Sequence, residues 1–172
     1  MSGIGKRNGK DHLAVAAAAV LVAAFAAIAQ AGLLDGILRK TPAEIAKSAG
    51  VVETADRVKV PLKTLDSGKA LFLVNEGSGS PIHYFALRSS DRTYRAAFDA
   101  CDVCFRANRG YRQEGDLMVC NQCGQKFPSV KINEVKGGCN PAPLARKVEG
   151  QYLVIEKSDI AAGKGYFPGK RS

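Results

Sequence analysis

Residues 82–104 read IHYFALRSSDRTYRAAFDACDVC, and residues 117–127 read LMVCNQCGQKF. Residues 82–87 and 93–98 are apolar and aromatic runs on either side of the polar turn Ser89-Ser90-Asp91, a pattern that predicts a β-hairpin. Directly after it comes Cys101-Asp102-Val103-Cys104, and fifteen residues later Cys120-Asn121-Gln122-Cys123. This C-x2-C-x15-C-x2-C spacing is that of a four-thiolate metal site. Two sulfurs from one tight turn bind one side of a metal, and a second turn closes the other side. Gly124 follows the second pair and lets backbone N–H groups approach the sulfurs, which tunes a thiolate site.

Working outward, Val58 and Val60 alternate with charges, residues 70–74 form an apolar run, and residues 117–119 and 152–156 read as further short strands. Short strands joined by polar turns predict a mainly β, small antiparallel domain over residues 57–172. Before it, Thr41-Pro42-Ala43-Glu44 has the form of a capping box with proline at the first helical position, and Gly50 ends that helix. Residues 35–56 are therefore read as a tether with one short helix.

Residues 13–34 contain no charge, and Gln30 is their one clearly polar side chain. Twenty-two helical residues span about 33 Å, enough for the hydrocarbon core of a bilayer. Ala27-Ile28-Ala29 and Ala29-Gln30-Ala31 also fit a signal-peptidase site, but the apolar run is longer than the usual signal-peptide core of about 7–15 residues. The preferred reading is one N-terminal transmembrane helix or signal anchor after a basic tail, residues 1–12. Lys6, Arg7 and Lys10 in that tail predict a cytoplasmic N-terminus and an extracytoplasmic, periplasmic C-terminal domain. Arg39, Lys40 and Lys47 on the other side pull against this orientation.

The chain has 172 residues, of which 46% are hydrophobic, so a wholly disordered protein is excluded. Its mean hydropathy of −0.09 averages an apolar segment with a basic domain. Residues 35–172 carry 22 basic and 15 acidic side chains, including Arg106, Arg109 and Arg112 between the two cysteine turns. Such charge suits an acidic protein partner or an anionic surface, or equally a plain solvated face, and an exported domain would not meet nucleic acid. No glycine-rich phosphate loop, serine nucleophile motif, paired histidines or carboxylate cluster is present, so no small-molecule substrate is indicated and the pattern is that of a carrier rather than a catalyst. His83 in a strand and His12 at the membrane border are not read as ligands.

Five cysteines are too few for a disulfide scaffold, and an odd number cannot pair completely within one chain. Export would still permit two disulfides. One C-x-x-C alone would suit a dithiol redox pair, although the βαβ context of that chemistry is absent. The fifth thiol, Cys139, lies in Gly137-Gly138-Cys139-Asn140-Pro141-Ala142-Pro143-Leu144. Two readings stand: a buried structural cysteine, or a loop thiol over the metal that serves as a further ligand or redox partner. Cys101, Cys104, Cys120 and Cys123 are the candidate ligands, with Cys139 as an additional one. The spacing suits an iron–sulfur cluster, a single iron or zinc. No twin-arginine pair precedes the apolar run, so either the metal is inserted outside, or the domain faces the cytoplasm, or the site holds zinc rather than a cluster.

Residues 97–104, 110–116, 120–127 and 136–144 together resemble the FtrD-like membrane iron–sulfur family, and the similarity runs from residue 58 to residue 167. The resemblance implies a membrane-associated protein with an iron–sulfur centre. It also implies a link to ferrous-iron uptake systems or respiratory redox chains, in which such a protein moves electrons. Larger members have several membrane spans, where this sequence has one candidate. A more distant resemblance is architectural. Cys120 to Phe127, the Gly/Pro loop and the strand after Gly150 are similar to the second half of a Rieske domain, with cysteines in the histidine positions. It implies a Rieske-like or rubredoxin-like β domain with a cysteine subdomain. An all-thiolate [2Fe–2S] cluster would have a low potential, nearer plant-type ferredoxins than Rieske centres.

Overall fold

Among the described residues the alternating and apolar runs, with short strands at their edges, pair into three antiparallel sheets. A computed structural model describes residues 40–77 and 79–169. The segments read as a basic tail and a membrane helix, residues 1–34, lie outside the described residues. Among the described residues no helix is long and apolar enough to cross a membrane. Thr41–Ser172 is one compact unit.

In chain order the unit holds α1 (Pro42–Ser48), β1 (Val52–Glu53), β2 (Arg57–Pro61), α2 (Leu62–Leu65), β3 (Leu71–Asn75), β4 (Ile82–Arg88) and β5 (Tyr94–Phe98). After the first cysteine turn come β6 (Tyr111–Glu114), β7 (Leu117–Cys120) and β8 (Lys126–Pro128). β9 (Lys147–Glu149), β10 (Tyr152–Glu156), α3 (Lys157–Ala162) and a 3-10 turn (Gly163–Tyr166) complete it. The terminal sheet has the order β1-β2-β10-β9, the central sheet β3-β4-β5 and the cysteine sheet β6-β7-β8. The six strands expected from the pattern are β2, β3, β4, β5, β7 and β10. The four others have two to four residues and mostly exposed side chains, so they carry no hydrophobic alternation to read.

The central sheet is buried on both faces, which explains the near-continuous apolar run of β4. Ile82, Tyr84 and Ala86 pack into one core with Val58, Val60, Leu153 and Ile155 of the terminal sheet. Phe85 and Leu87 point the other way, into a second core with Met118, Ile132, Tyr111 and two cysteines, Cys101 and Cys120. Full burial of each large side chain stabilises by about 1.5–3 kcal/mol. In β3, by contrast, only Leu73 is fully buried.

Helix α1 begins with the expected reciprocal capping box between Thr41 and Glu44. It lies inside the segment read as a tether. Ala46 and Val51 pack against the first core, the Thr64 hydroxyl donates to the Ala49 carbonyl at 2.9 Å, and β1 pairs with β2. Two side chains couple the sheets to one another. Gln113 of β6 accepts from the Ala70 N–H at 2.6 Å and donates to the Gly68 carbonyl at 2.7 Å. Asp116 accepts from Ser90 at 2.7 Å and also from Ser129.

Candidate metal centre

The first cysteine turn is the direct continuation of β5. Cys101 is 1% exposed, and its sulfur accepts the Cys104 N–H at 3.2 Å. Cys104 opens a 3-10 turn, Phe105–Ala107, which Asn108 closes in the left-handed conformation at φ 52°. Asp99 supports the turn from below. Its carboxylate accepts the Tyr111 N–H at 2.6 Å, and Gly110 between them has φ +62° with no room for a Cβ against that carboxylate.

The second turn continues β7. Cys120 is 2% exposed, its N–H donates to the Gln125 carbonyl at 2.9 Å, and its carbonyl accepts the Gly124 N–H at 2.9 Å. Gly124, at φ +73°, provides the left-handed residue that lets the chain turn back so tightly. Cys123 is exposed at the tip. The Gln125 backbone N–H holds its thiol below the ordinary value, whereas burial pushes the Cys104 thiol up.

Long-range pairing delivers the fifth thiol. Residues 142–144 run along the free edge of β5, with Ala97 bridged to Pro143, the Phe98 N–H on the Ala142 carbonyl at 2.8 Å and the Leu144 N–H on the Ala96 carbonyl at 3.2 Å. Upstream, the buried Arg95 guanidinium donates to the Ile132 carbonyl at 2.9 Å, and Asn133 donates to the Ala96 carbonyl at 2.8 Å. Between these anchor points the loop carries Cys139 over the first turn, with its sulfur 3.8 Å from that of Cys104. Burial raises the Cys139 thiol to about 11.

All five cysteines are free thiols and they form two overlapping groups. Cys101, Cys104 and Cys120 have their sulfurs within 4.8 Å of one another, as do Cys104, Cys123 and Cys139. The Cys104–Cys139 separation is far beyond the bond length of a disulfide, about 2.05 Å. His83 belongs to neither group. Its ring lies 5.8 Å from that of Phe167.

Sequence reasoning did not single out the side chains that frame this group. The Tyr111 hydroxyl donates to the Cys139 carbonyl. Tyr166 donates to Asp102 at 2.6 Å and stacks edge-on against Phe105, so the C-terminal segment covers the first turn. The available signal was Gly110-Tyr111, a glycine beside an aromatic residue at the entry to a strand. Of the arginines between the turns, Arg112 is paired with Glu114 at 2.7 Å and Arg106 lies over the Phe105 ring.

The family model for FtrD-like, membrane iron–sulfur-containing proteins matches residues 65–167, a span that includes all five cysteines. The chain belongs to that family. Comparison with curated proteins and with solved structures returned no match. The FtrD-like chain offers donors of one kind, thiols, and soft thiolate sets suit iron–sulfur clusters and zinc. Their convergence from two turns and a cover loop fits such a metal group.

Proposed function

We propose that this chain is a membrane-anchored electron-transfer module in which Cys101, Cys104, Cys120 and Cys123 hold an iron–sulfur cluster or a single iron. The observation that carries the reading is the gathering of these thiols, buried on one side and exposed on the other, within a chain of an iron–sulfur family. When bound, the group would supply a one-electron couple, at low potential where it is an all-thiolate [2Fe–2S] cluster. Cys101 and Cys120 sit in the second core and exclude water from the inner side. Cys123 at the surface leaves a short path for electrons to a docked partner. Exposed Arg106 and Arg109 beside the turns offset thiolate charge and favour an acidic redox or iron-uptake partner.

A Rieske-like arrangement is supported by the pairing of the early strand β2 with the late strand β10 and by the Gly/Pro loop over the cysteine turns. Residues 13–34 serve as the anchor, and the basic tail places the domain in the periplasm. Protease protection in oriented vesicles checks the orientation. Anaerobic purification with iron, sulfide and zinc analysis and visible absorption tests the carrier function. A coloured protein with iron and sulfide is expected. The alternative is a structural zinc domain for partner binding or metal handling, which the all-thiolate donor set also suits. A colourless protein with one zinc per chain would establish it and sink the electron carrier.

A further inference from the structure

Five thiols form two three-thiol groups that overlap at Cys104, and a tetrahedral thiolate centre needs four. A tetrahedral metal with sulfur bonds of about 2.3 Å places its thiolates about 3.8 Å apart. Cys104 and Cys139 already stand at that separation, 3.8 Å. Cys104 is also the one thiol common to both groups, with Cys101 and Cys120 on its inner side and Cys123 and Cys139 on its outer side.

The inner thiols have no freedom to leave. Cys101 and Cys120 are 1% and 2% exposed, belong to the second core, and continue strands whose backbones are fully paired. The outer thiols differ. Cys123 is exposed at the tip of its turn, and Cys139 is half-buried on a loop entered through two glycines with positive φ, Gly137 and Gly138.

We infer that Cys101, Cys104 and Cys120 are fixed ligands and that Cys123 and Cys139 share the fourth position by exchange. The inference rests on the metal–thiolate reading of the site but not on which metal is native. In the exchange the incoming thiol gives its proton to solvent as its sulfur–metal bond forms. The outgoing thiolate takes up a proton as its bond breaks. No electron is transferred, and one thiol always stands free beside the centre.

The test uses the full chain, reduced, freed of metal and titrated with cobalt(II) without oxygen. Wild type, Cys123→Ser and Cys139→Ser are each expected to bind one cobalt with affinities alike to within about threefold, and with four-thiolate charge-transfer bands. The double variant is expected to lose about a quarter of that absorption and to bind about tenfold or more weakly. A single variant as weak as the double variant would overturn the exchange, as would a double variant as tight as wild type. Alkylation of the cobalt-loaded wild type with iodoacetamide needs no variant. One label per chain, divided between Cys123 and Cys139, is expected. A label on only one of them, or on Cys101 or Cys120, overturns the inference. A native preparation with zinc and no iron would sink the electron carrier and leave the exchange standing, so the two failures are distinguishable.

Discussion

The Tyr111 hydroxyl donates a 2.5 Å hydrogen bond to the backbone carbonyl of Cys139, joining the first strand of the cysteine sheet to the loop that carries the fifth thiol. Tyr111 is only 5% exposed, and its ring packs against Phe85 and Phe127, so the bond forms at the edge of the second core. In Tyr111→Phe the ring stays and the bond goes. The loss should lower stability by about 1–3 kcal/mol, the cost of an unsatisfied polar group in a partly buried place. Urea unfolding measures it, and faster alkylation of Cys139 in the metal-free protein should accompany it.

Gly110→Ala should be among the most damaging small substitutions. The residue has φ +62°, and its Cβ would collide with the Asp99 carboxylate that accepts the Tyr111 N–H. Gly115→Ala is the control, since Gly115 has φ +60° with nothing near its Cβ. The control should cost about 1–2 kcal/mol for backbone alone. Gly110→Ala should cost at least about 2 kcal/mol more, as in other overpacked sites. Equal unfolding midpoints for the two variants would show that the Asp99 contact is not tight.

The pair Asp91–Arg95 sets a pH dependence. Arg95 is 3% exposed and binds both Asp91 oxygens at 2.7 and 2.8 Å. The guanidinium holds the Asp91 carboxyl down at about 2, from an ordinary 3.8. Because the folded value is depressed, the pair's stabilisation is fully present above pH 3.8 and is lost as pH falls through about 2. Asp91→Asn should therefore be less stable than wild type at neutral pH, and the difference should shrink across that acid window. Thermal melts at a series of pH values read this directly.

Metal removal should soften the second core. Cys101 and Cys120 are core residues as well as thiols. Chelation of the loaded full chain should lower its melting temperature by on the order of 10 °C, as expected when a tightly bound metal is withdrawn. An unchanged calorimetric transition would show that the thiols are held by packing alone.

The local features of this fold were legible because their causes are local. A C-x-x-C pair meets within one turn, a capping box spans four residues, and the apolar runs at residues 82–87 and 93–98 need only their own pattern to read as β4 and β5. The short strands β1, β6, β8 and β9 were not legible. Sequences such as Lys-Phe-Pro and Lys-Val-Glu carry no alternation, and they become strands only because a longer neighbour offers its edge.

From sequence alone came two thiol pairs at metal-site spacing, a β-rich basic domain, and a membership that the family match bears out. Tertiary structure alone decided which thiols are buried and where Cys139 goes. Burial of Cys101 and Cys120 follows from the outward face of β4, where Phe85 and Leu87 build a second core. Delivery of Cys139 follows from residues 142–144 pairing with β5, more than forty positions earlier in the chain. Contacts of that range depend on closing a long loop and on which strand edge is left open, and neither is encoded in the residues beside the cysteine.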